Sequence, residues 1–365
     1  MNPKPNIVGL PVYKPGKPIE EVKKELGLSE VIKLASNENP YGAAPSARAA
    51  ITAELDNLFL YPDGSASELT AALAKHLGVG NEQIIFGCGS DEIIALIARA
   101  FFLPGDETIM ADQTFSVYKS NADIEGAVTI EVPLKNGTHD LDGMLAKITD
   151  KTKIVWICNP NNPTGTIVPE DALVTFLNAV PSGVMVVLDE AYYEYVTDLS
   201  YTDGIKLLDT YPNLVVLRTF SKIYGLAALR IGYGVASPQV ISLINQVREP
   251  FNTTRLAQVG AIAALSDQDY VERCRKLNSE GIVQLQAEFK RLGLESFPAN
   301  GNFIMVDVRK PAVEVFEQLL RKGIIVRAGF HLYPTYVRVT VGSAEQNTAF
   351  IAALEQVIAE QEIRA

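Results

Sequence analysis

A chain of 365 residues, 47% hydrophobic and 21% charged, has the make-up of an ordinary globular protein, long enough for one large and one smaller domain. Its formal charge of -11 argues against nucleic acid, whose recognition needs a basic face, and leaves room for a small cationic pocket. Three cysteines (Cys88, Cys158, Cys274) without CxxC spacing and three isolated histidines (His76, His139, His331) offer neither a disulfide framework nor a metal site, and point to a reducing compartment, the cytoplasm.

Prolines at positions 3, 5, 11, 15 and 18 make the opening stretch an extended arm, with no apolar core of the kind a leader carries. Residues 20–26 read as a short helix stopped by Gly27. A polar loop follows, Leu34-Ala35-Ser36-Asn37-Glu38-Asn39-Pro40-Tyr41-Gly42. Helical periodicity over 46–55 and 67–77 brackets the turn Leu60-Tyr61-Pro62-Asp63-Gly64. The most apolar helix candidate, 93–103, carries Arg99 and is too short to span a bilayer, so no membrane partner is expected.

From residue 84 the pattern alternates: strand 84–86, helix 92–102, strand 107–111, helix 116–124, strand 128–132. It continues with helix 140–148, strand 154–158, helix 169–178, and strands 184–188 and 214–217. Short β-branched runs separated by helices predict an α/β fold, a mainly parallel sheet covered on both faces. Beyond residue 248 the character changes. Helices 256–265 and 269–292, strands 302–308, 324–327 and 336–341, and helices 312–322 and 344–360 form a smaller α+β unit. The expected division is an arm with a small-domain segment over 1–45, a large domain over 46–250 and a small domain over 251–365.

Open α/β sheets bind ligands beyond the carboxyl ends of their strands, and four strand ends here carry unusual residues. Gly87-Cys88-Gly89-Ser90-Asp91 is a glycine turn opening a helix, whose free N–H groups can hold a phosphate. Asp91 reads otherwise as an N-cap, and beside a phosphate its side chain has to turn away. Cys158-Asn159-Pro160-Asn161-Asn162-Pro163-Thr164-Gly165 is a rigid loop in which a cis peptide at Asn162-Pro163 is expected. Asp189 closes the most apolar strand, where a carboxylate needs a cation or a strong hydrogen bond. No Gly-x-x-x-x-Gly-Lys loop accompanies it, which sets aside a nucleotide–magnesium site. Arg218-Thr219-Phe220-Ser221-Lys222 then delivers hydroxyls and a lysine behind a core strand, with Arg230 a short step on. A lysine amine, a buried acid, an asparagine, a tyrosine, hydroxyls, an arginine and a helix start together meet the needs of pyridoxal 5′-phosphate. Its aldehyde takes a lysine, its ring nitrogen an acid, and its phosphate donors and positive charge.

The run Thr219-Phe220-Ser221-Lys222-Ile223-Tyr224-Gly225-Leu226, continuing to Arg230-Ile231-Gly232-Tyr233, resembles the lysine motif of fold-type-I aminotransferases. Asn159-Pro160-Asn161-Asn162-Pro163-Thr164-Gly165 and Asp189-Glu190-Ala191-Tyr192 resemble that family too, in the same order. The resemblance runs from Tyr13 to the C-terminal unit. It implies a large domain on a mainly parallel seven-stranded sheet, plus a smaller α+β domain. It further implies that Lys222 holds pyridoxal phosphate and shuttles the proton, Asp189 pairs with the ring nitrogen, Asn162 and Tyr192 bond the ring oxygen, and Phe115 stacks on the ring. Ser90 and Asp91 backbone groups, Thr219, Ser221 and Arg230 would hold the phosphate, joined by Tyr61 from the second subunit of a homodimer.

Within that family, Ser36-Asn37-Glu38-Asn39-Pro40-Tyr41-Gly42, Tyr61-Pro62-Asp63-Gly64 and Arg338-Val339-Thr340-Val341-Gly342 look most like the members that use histidinol phosphate and 2-oxoglutarate, with glutamate as the physiological donor. Arg338, with Arg327 and Tyr13, is then expected to take the substrate phosphate. This chain departs from the pattern at Ala328 and Ala43, where prolines are common, and at Val12, which separates Pro11 from Tyr13. Competing expectations are an aromatic amino-acid aminotransferase and a threonine-phosphate decarboxylase on the same scaffold. A cofactor-binding regulator would need a basic DNA-binding segment that the sequence lacks. A dehydrogenase would need a third glycine after Gly87-x-Gly89.

Overall fold

A computed structural model describes residues 2–12 and 17–362. The chain enters through α1 (Ile19–Leu26), whose first turn holds Glu20 and Glu21 and whose last holds Lys23 and Lys24, the charge order that suits a helix dipole. A two-residue strand, β1 (Ile32–Lys33), leads through the polar loop to α2 (Pro45–Ala53), with proline in its first turn, and α3 (Ser67–Leu77).

The alternating region is β2 (Ile84–Gly87), α4 (Ser90–Phe101), β3 (Glu107–Ala111), α5 (Val117–Glu125) and β4 (Val128–Val132). It continues as α6 (Leu141–Leu145), β5 (Thr152–Cys158), α7 (Glu170–Ala179), β6 (Met185–Asp189), β7 (Leu214–Thr219) and β8 (Gly232–Ala236). These strands form one seven-stranded sheet in the order β2-β8-β7-β6-β5-β3-β4. All pairings are parallel except those of β8, which runs antiparallel to β2 and β7.

Period-two alternation divides the strands between two cores. Val155, Ile157, Val186, Leu188 and Val216 face α3 and α7, meeting Leu69, Leu73, Leu173 and Phe176. Ile154, Trp156, Val187, Val215 and Leu217 face α4 and α5, meeting Ile93, Ile97, Tyr118 and Ala122. Burial on both sides explains why the strands read as unbroken apolar runs.

The expected helix 140–148 is only Leu141–Leu145: Asp140 accepts from Gly143 N at 3.1 Å as its cap, and Gly143 inside so short a helix disfavours extension. β8 was not expected at all, because two glycines in five residues hide its strand character, which packing between β2 and β7 supplies.

The remaining elements are α8 (Pro238–Asn245), α9 (Arg255–Ser266), α10 (Gln268–Arg291), β9 (Glu295–Ser296), β10 (Phe303–Asp307), α11 (Ala312–Arg321), β11 (Ile324–Ile325), β12 (Tyr336–Thr340) and α12 (Ala344–Glu362). α9 packs on α2 and α3, whereas α10 reaches β10 and α12. Its 24 residues span about 36 Å, at about 1.5 Å each. An antiparallel sheet in the order β12-β10-β9 buries Val306, Val337 and Val339 against Leu319, Phe350 and Leu354. β1 pairs parallel with β11, which sets the polar loop after β1 beside the C-terminal strands. The expected strand 324–327 is a ladder only at Ile324–Ile325; Arg327 instead makes a single antiparallel bridge to Arg338. Among the described residues no helix is long and apolar enough to cross a membrane, and no cluster of metal-ligating side chains occurs.

Candidate active site

Asp189 ends β6 with its carboxylate buried beside Cys158 of β5. No lysine or arginine pairs with it among the described residues. Tyr118 donates its hydroxyl to Oδ2 at 2.6 Å, and Ala191 N–H meets Oδ1 at 3.2 Å. Burial pushes this carboxyl up to about 6. Glu190, one residue on, serves the opposite face. It accepts from Arg218 Nε at 2.9 Å and Nη2 at 2.7 Å, and Arg218 also meets Asp203 at 2.5 Å beneath the Tyr193 ring.

The turn after β7 carries the lysine. Lys222 Nζ donates to Ser36 O at 3.3 Å and lies 5.6 Å from the centre of the Tyr192 ring. Burial, reinforced by the Arg338 cation, pushes this amine down to about 8. Gly225 has φ 70°, and a Cβ there would fall 2.1 Å from Gly42 O; glycine lets the polar loop close over the turn. Asn39 seals that contact by donating to Ile223 O at 2.7 Å.

Thr219 accepts from Ser221 N–H at 3.0 Å. Arg230, itself in the left-handed region at φ 52°, donates to Ser221 Oγ at 3.2 Å and Ala227 O at 3.1 Å. Its other nitrogen points at the opening of α4, where a Cβ on Gly89 would lie 2.4 Å away. Ser90 and Asp91 are the first residues of α4, so their free N–H groups, Arg230, Ser221 and Thr219 line one cup suited to an anion. Gly89, not Asp91, holds the N-cap position. The Asp91 carboxylate faces Arg230 at 3.5 Å instead of turning away.

The loop after β5 has cis peptides at both Asn159-Pro160 and Asn162-Pro163. Asn162 accepts from Arg338, whose second nitrogen donates to Ala35 O at 2.7 Å. Arg327 lies alongside, exchanging backbone bonds of 3.0 and 2.8 Å with Arg338. Tyr192 accepts from Asn37 Nδ2 at 2.9 Å, and burial pushes its phenol up. Phe115 stands just before α5, edge-on to Tyr118 at 5.6 Å.

Three groupings therefore meet: Lys222 with Tyr192 and the Ser36–Asn37 loop, Arg338 with Asn162 and Arg327, and Arg230 with Ser221 and the α4 start. Tyr61 stands apart. It is 78% exposed and stacked on Phe251, ring centres 4.8 Å apart. Tyr13 lies outside the described residues. Sequence reasoning missed Tyr118 and Asn37 as partners of Asp189 and Tyr192, and it missed the Glu190–Arg218–Asp203 cluster. Tyr118 lies on α5 and Asp189 ends β6, 71 residues later, so no local pattern links the two.

Residues 29–354 match the profile of the family described as aminotransferase class I and II. The chain belongs to that family. A histidinol-phosphate aminotransferase of Brevibacillus brevis is 55% identical over 98% of this chain and 99% of its own length. One of Halalkalibacterium halodurans is 53% identical over 99% and 98%. A crystal structure of the histidinol-phosphate aminotransferase of Sinorhizobium meliloti, in complex with pyridoxal-5′-phosphate, superposes with a TM-score of 0.91 at 29% identity, covering 98% of this chain and 97% of that one. The seven-stranded sheet is thus that of an aminotransferase.

Proposed function

We propose that this aminotransferase exchanges the amino group of histidinol phosphate or glutamate for the oxo group of 2-oxoglutarate or imidazole-acetol phosphate, with pyridoxal 5′-phosphate held on Lys222. The observation that carries the substrate half is Arg338, a buried guanidinium tied to Asn162 beside a second arginine, Arg327. Two adjacent cations suit a doubly charged phosphate, and a fork of N–H donors binds it with direction.

The residues present fit the cofactor. Asp189 is a buried acid whose partners are a hydroxyl and an amide, so a cationic ring N–H is the partner its charge lacks. The cup at Ser90, Asp91, Thr219, Ser221 and Arg230 supplies donors and one positive charge for a phosphate. When bound, pyridoxal phosphate supplies a conjugated ring that takes up the electron pair left as a substrate Cα–H bond breaks.

The chain's own groups do the rest. Lys222, depressed to about 8, is a base near working pH, able to accept the Cα proton and return it to the carbon on the other side of the transferred nitrogen. Asp189 holds a proton on the ring nitrogen. Tyr192 and Asn162 would bond the ring oxygen, and Phe115 would cover the ring face. Arg338 and Arg327, with Tyr13, orient the substrate phosphate. Two half-reactions sharing one site give ping-pong kinetics.

Homodimerisation is part of the proposal. Leu58, Phe59, Leu60 and Tyr61 form a run of exposed apolar side chains, which a second copy would cover while receiving Tyr61 at its phosphate cup. A cytoplasmic enzyme with a cofactor-binding unit over 46–250 completes the reading. The test is the ratio of kcat/KM for histidinol phosphate and phenylalanine with 2-oxoglutarate. A site built for phosphate should prefer histidinol phosphate by about 10⁴-fold; equal or better use of phenylalanine overturns the assignment. Borohydride reduction should bleach the bound chromophore and leave its label on Lys222.

A further inference from the structure

Asp189 is gripped from behind by residues that none of the motifs contains. Tyr118 is fully buried and its hydroxyl donates to Oδ2 at 2.6 Å. Its ring lies flat on Trp156, centres 4.9 Å apart and planes 11° from parallel. Trp156 is the sole tryptophan of the chain, and it is pinned in turn. Its indole N–H donates to Thr108 Oγ1 at 2.8 Å, and that hydroxyl donates to Ile154 O at 2.9 Å. A hydroxyl has one proton to give, so Thr108, committed to Ile154, can only accept from the indole. The three neighbouring strands β3, β5 and β6, with α5, thereby fix one phenol against one carboxylate oxygen.

The choice of a phenol matters. Burial opposes ionisation of Asp189, and so do the charges of Asp91 on α4 and Glu190 just past β6; the Cys158 thiol of β5 stands beside it. Tyr118 and the Ala191 amide are the groups that favour the charged form. A lysine or arginine in the place of Tyr118 would neutralise the carboxylate and compete with a cationic ring. A neutral donor stabilises the negative charge and leaves it without a competing cation. Burial pushes the Tyr118 phenol well up, so it stays a donor at any working pH.

We propose that Tyr118 is a positioning residue that fixes the Asp189 carboxylate and keeps it ionised toward the ring nitrogen of bound pyridoxal phosphate, with Trp156 and Thr108 as its buttress. This rests on the cofactor assignment above.

Cofactor-free protein is titrated with pyridoxal phosphate, and quenching of Trp156 fluorescence gives the dissociation constant. Absorbance of the bound cofactor against pH gives its titration midpoint. Tyr118→Phe keeps the ring and removes the donor; it should loosen the cofactor about ten- to a hundredfold, the effect of one hydrogen bond to a charged group. The pH midpoint should move, and kcat should fall more than KM rises. In an Asp189→Asn background the same change should matter by about twofold or less, because Tyr118 acts through that carboxylate.

An unchanged dissociation constant and midpoint in Tyr118→Phe, or an equal loss in both backgrounds, overturns the proposal. Wild-type protein that takes up no cofactor overturns the cofactor assignment itself, and this inference with it. If Tyr118→Phe yields no folded protein, Trp156→Phe is compared in the two backgrounds by cofactor absorbance. A loss confined to the Asp189 background supports the buttress, and an equal or absent loss overturns it.

Discussion

Cofactor capture by Lys222 should bend at a pH well below that of an ordinary lysine. Only the neutral amine attacks an aldehyde, so the rate of covalent attachment follows the neutral fraction. A lysine at 10.5 is about 0.03% neutral at pH 7, whereas Lys222 at about 8 is about 9% neutral, a gain on the order of 300-fold. Mixing cofactor-free protein with pyridoxal phosphate in a stopped-flow spectrometer should show a rate rising about tenfold per pH unit up to about 8, then levelling. Arg338→Met removes the second cause of the depression and leaves burial, so the bend should move part of the way up. A wild-type rate still climbing tenfold per unit at about pH 9 would refute the reasoning, as would a bend that moves down in Arg338→Met. Linkage gives the same pair of values a second reading. The unfolded chain keeps the lysine proton between about 8 and 10.5 while the folded one has released it, so cofactor-free protein should gain stability as pH rises through that window.

Asp189 has the opposite sign. Raised from 3.8 to about 6, it binds its proton more tightly folded than unfolded, so cofactor-free protein should lose on the order of 2 kcal/mol between about pH 4 and about pH 6. Asp189→Asn should abolish that fall in urea-unfolding midpoints, and an equally steep fall in the variant would count against the assignment. Glu190→Gln leaves Arg218 with Asp203 alone; breaking a buried pair from one side should cost about 3–5 kcal/mol, read as a lower thermal midpoint, and an unchanged midpoint would show the pair to be dispensable. Tyr61→Ala and Lys222→Ala, each inactive alone, should regain about a quarter of wild-type activity when mixed and allowed to exchange subunits, since half the dimers then carry one intact site. Mixtures that stay inactive despite exchange would place Tyr61 outside the partner's site.

Much of the fold was legible because the sheet is covered on both faces. Strands buried on both sides read as unbroken apolar runs, and β6 and β7 lie within two residues of where those runs placed them. β8 escaped because its place depends on neighbours β2 and β7, not on its own glycine-rich sequence. The same division between local and tertiary information runs through the site. Strand ends point to Asp189 and Lys222, since Asp189 closes an apolar run and Lys222 sits in the turn just past the end of another. What satisfies those groups comes from other layers. Asp189 was expected to need a cation or a strong hydrogen bond; it receives the bond from Tyr118, 71 residues earlier, and no local pattern announces that pairing. Glu190 is different, because a signal for it existed. Asp189 is in register with Leu217, so the next residues along, Glu190 and Arg218, end adjacent parallel strands side by side and turn to the same face. An acid and a base so placed pair with each other, which leaves the preceding acid, on the opposite face, without that arginine. The two carboxylates of Asp189-Glu190 therefore have separate duties set by strand alternation: one neutralised within the scaffold, the other held by a neutral phenol with its charge intact.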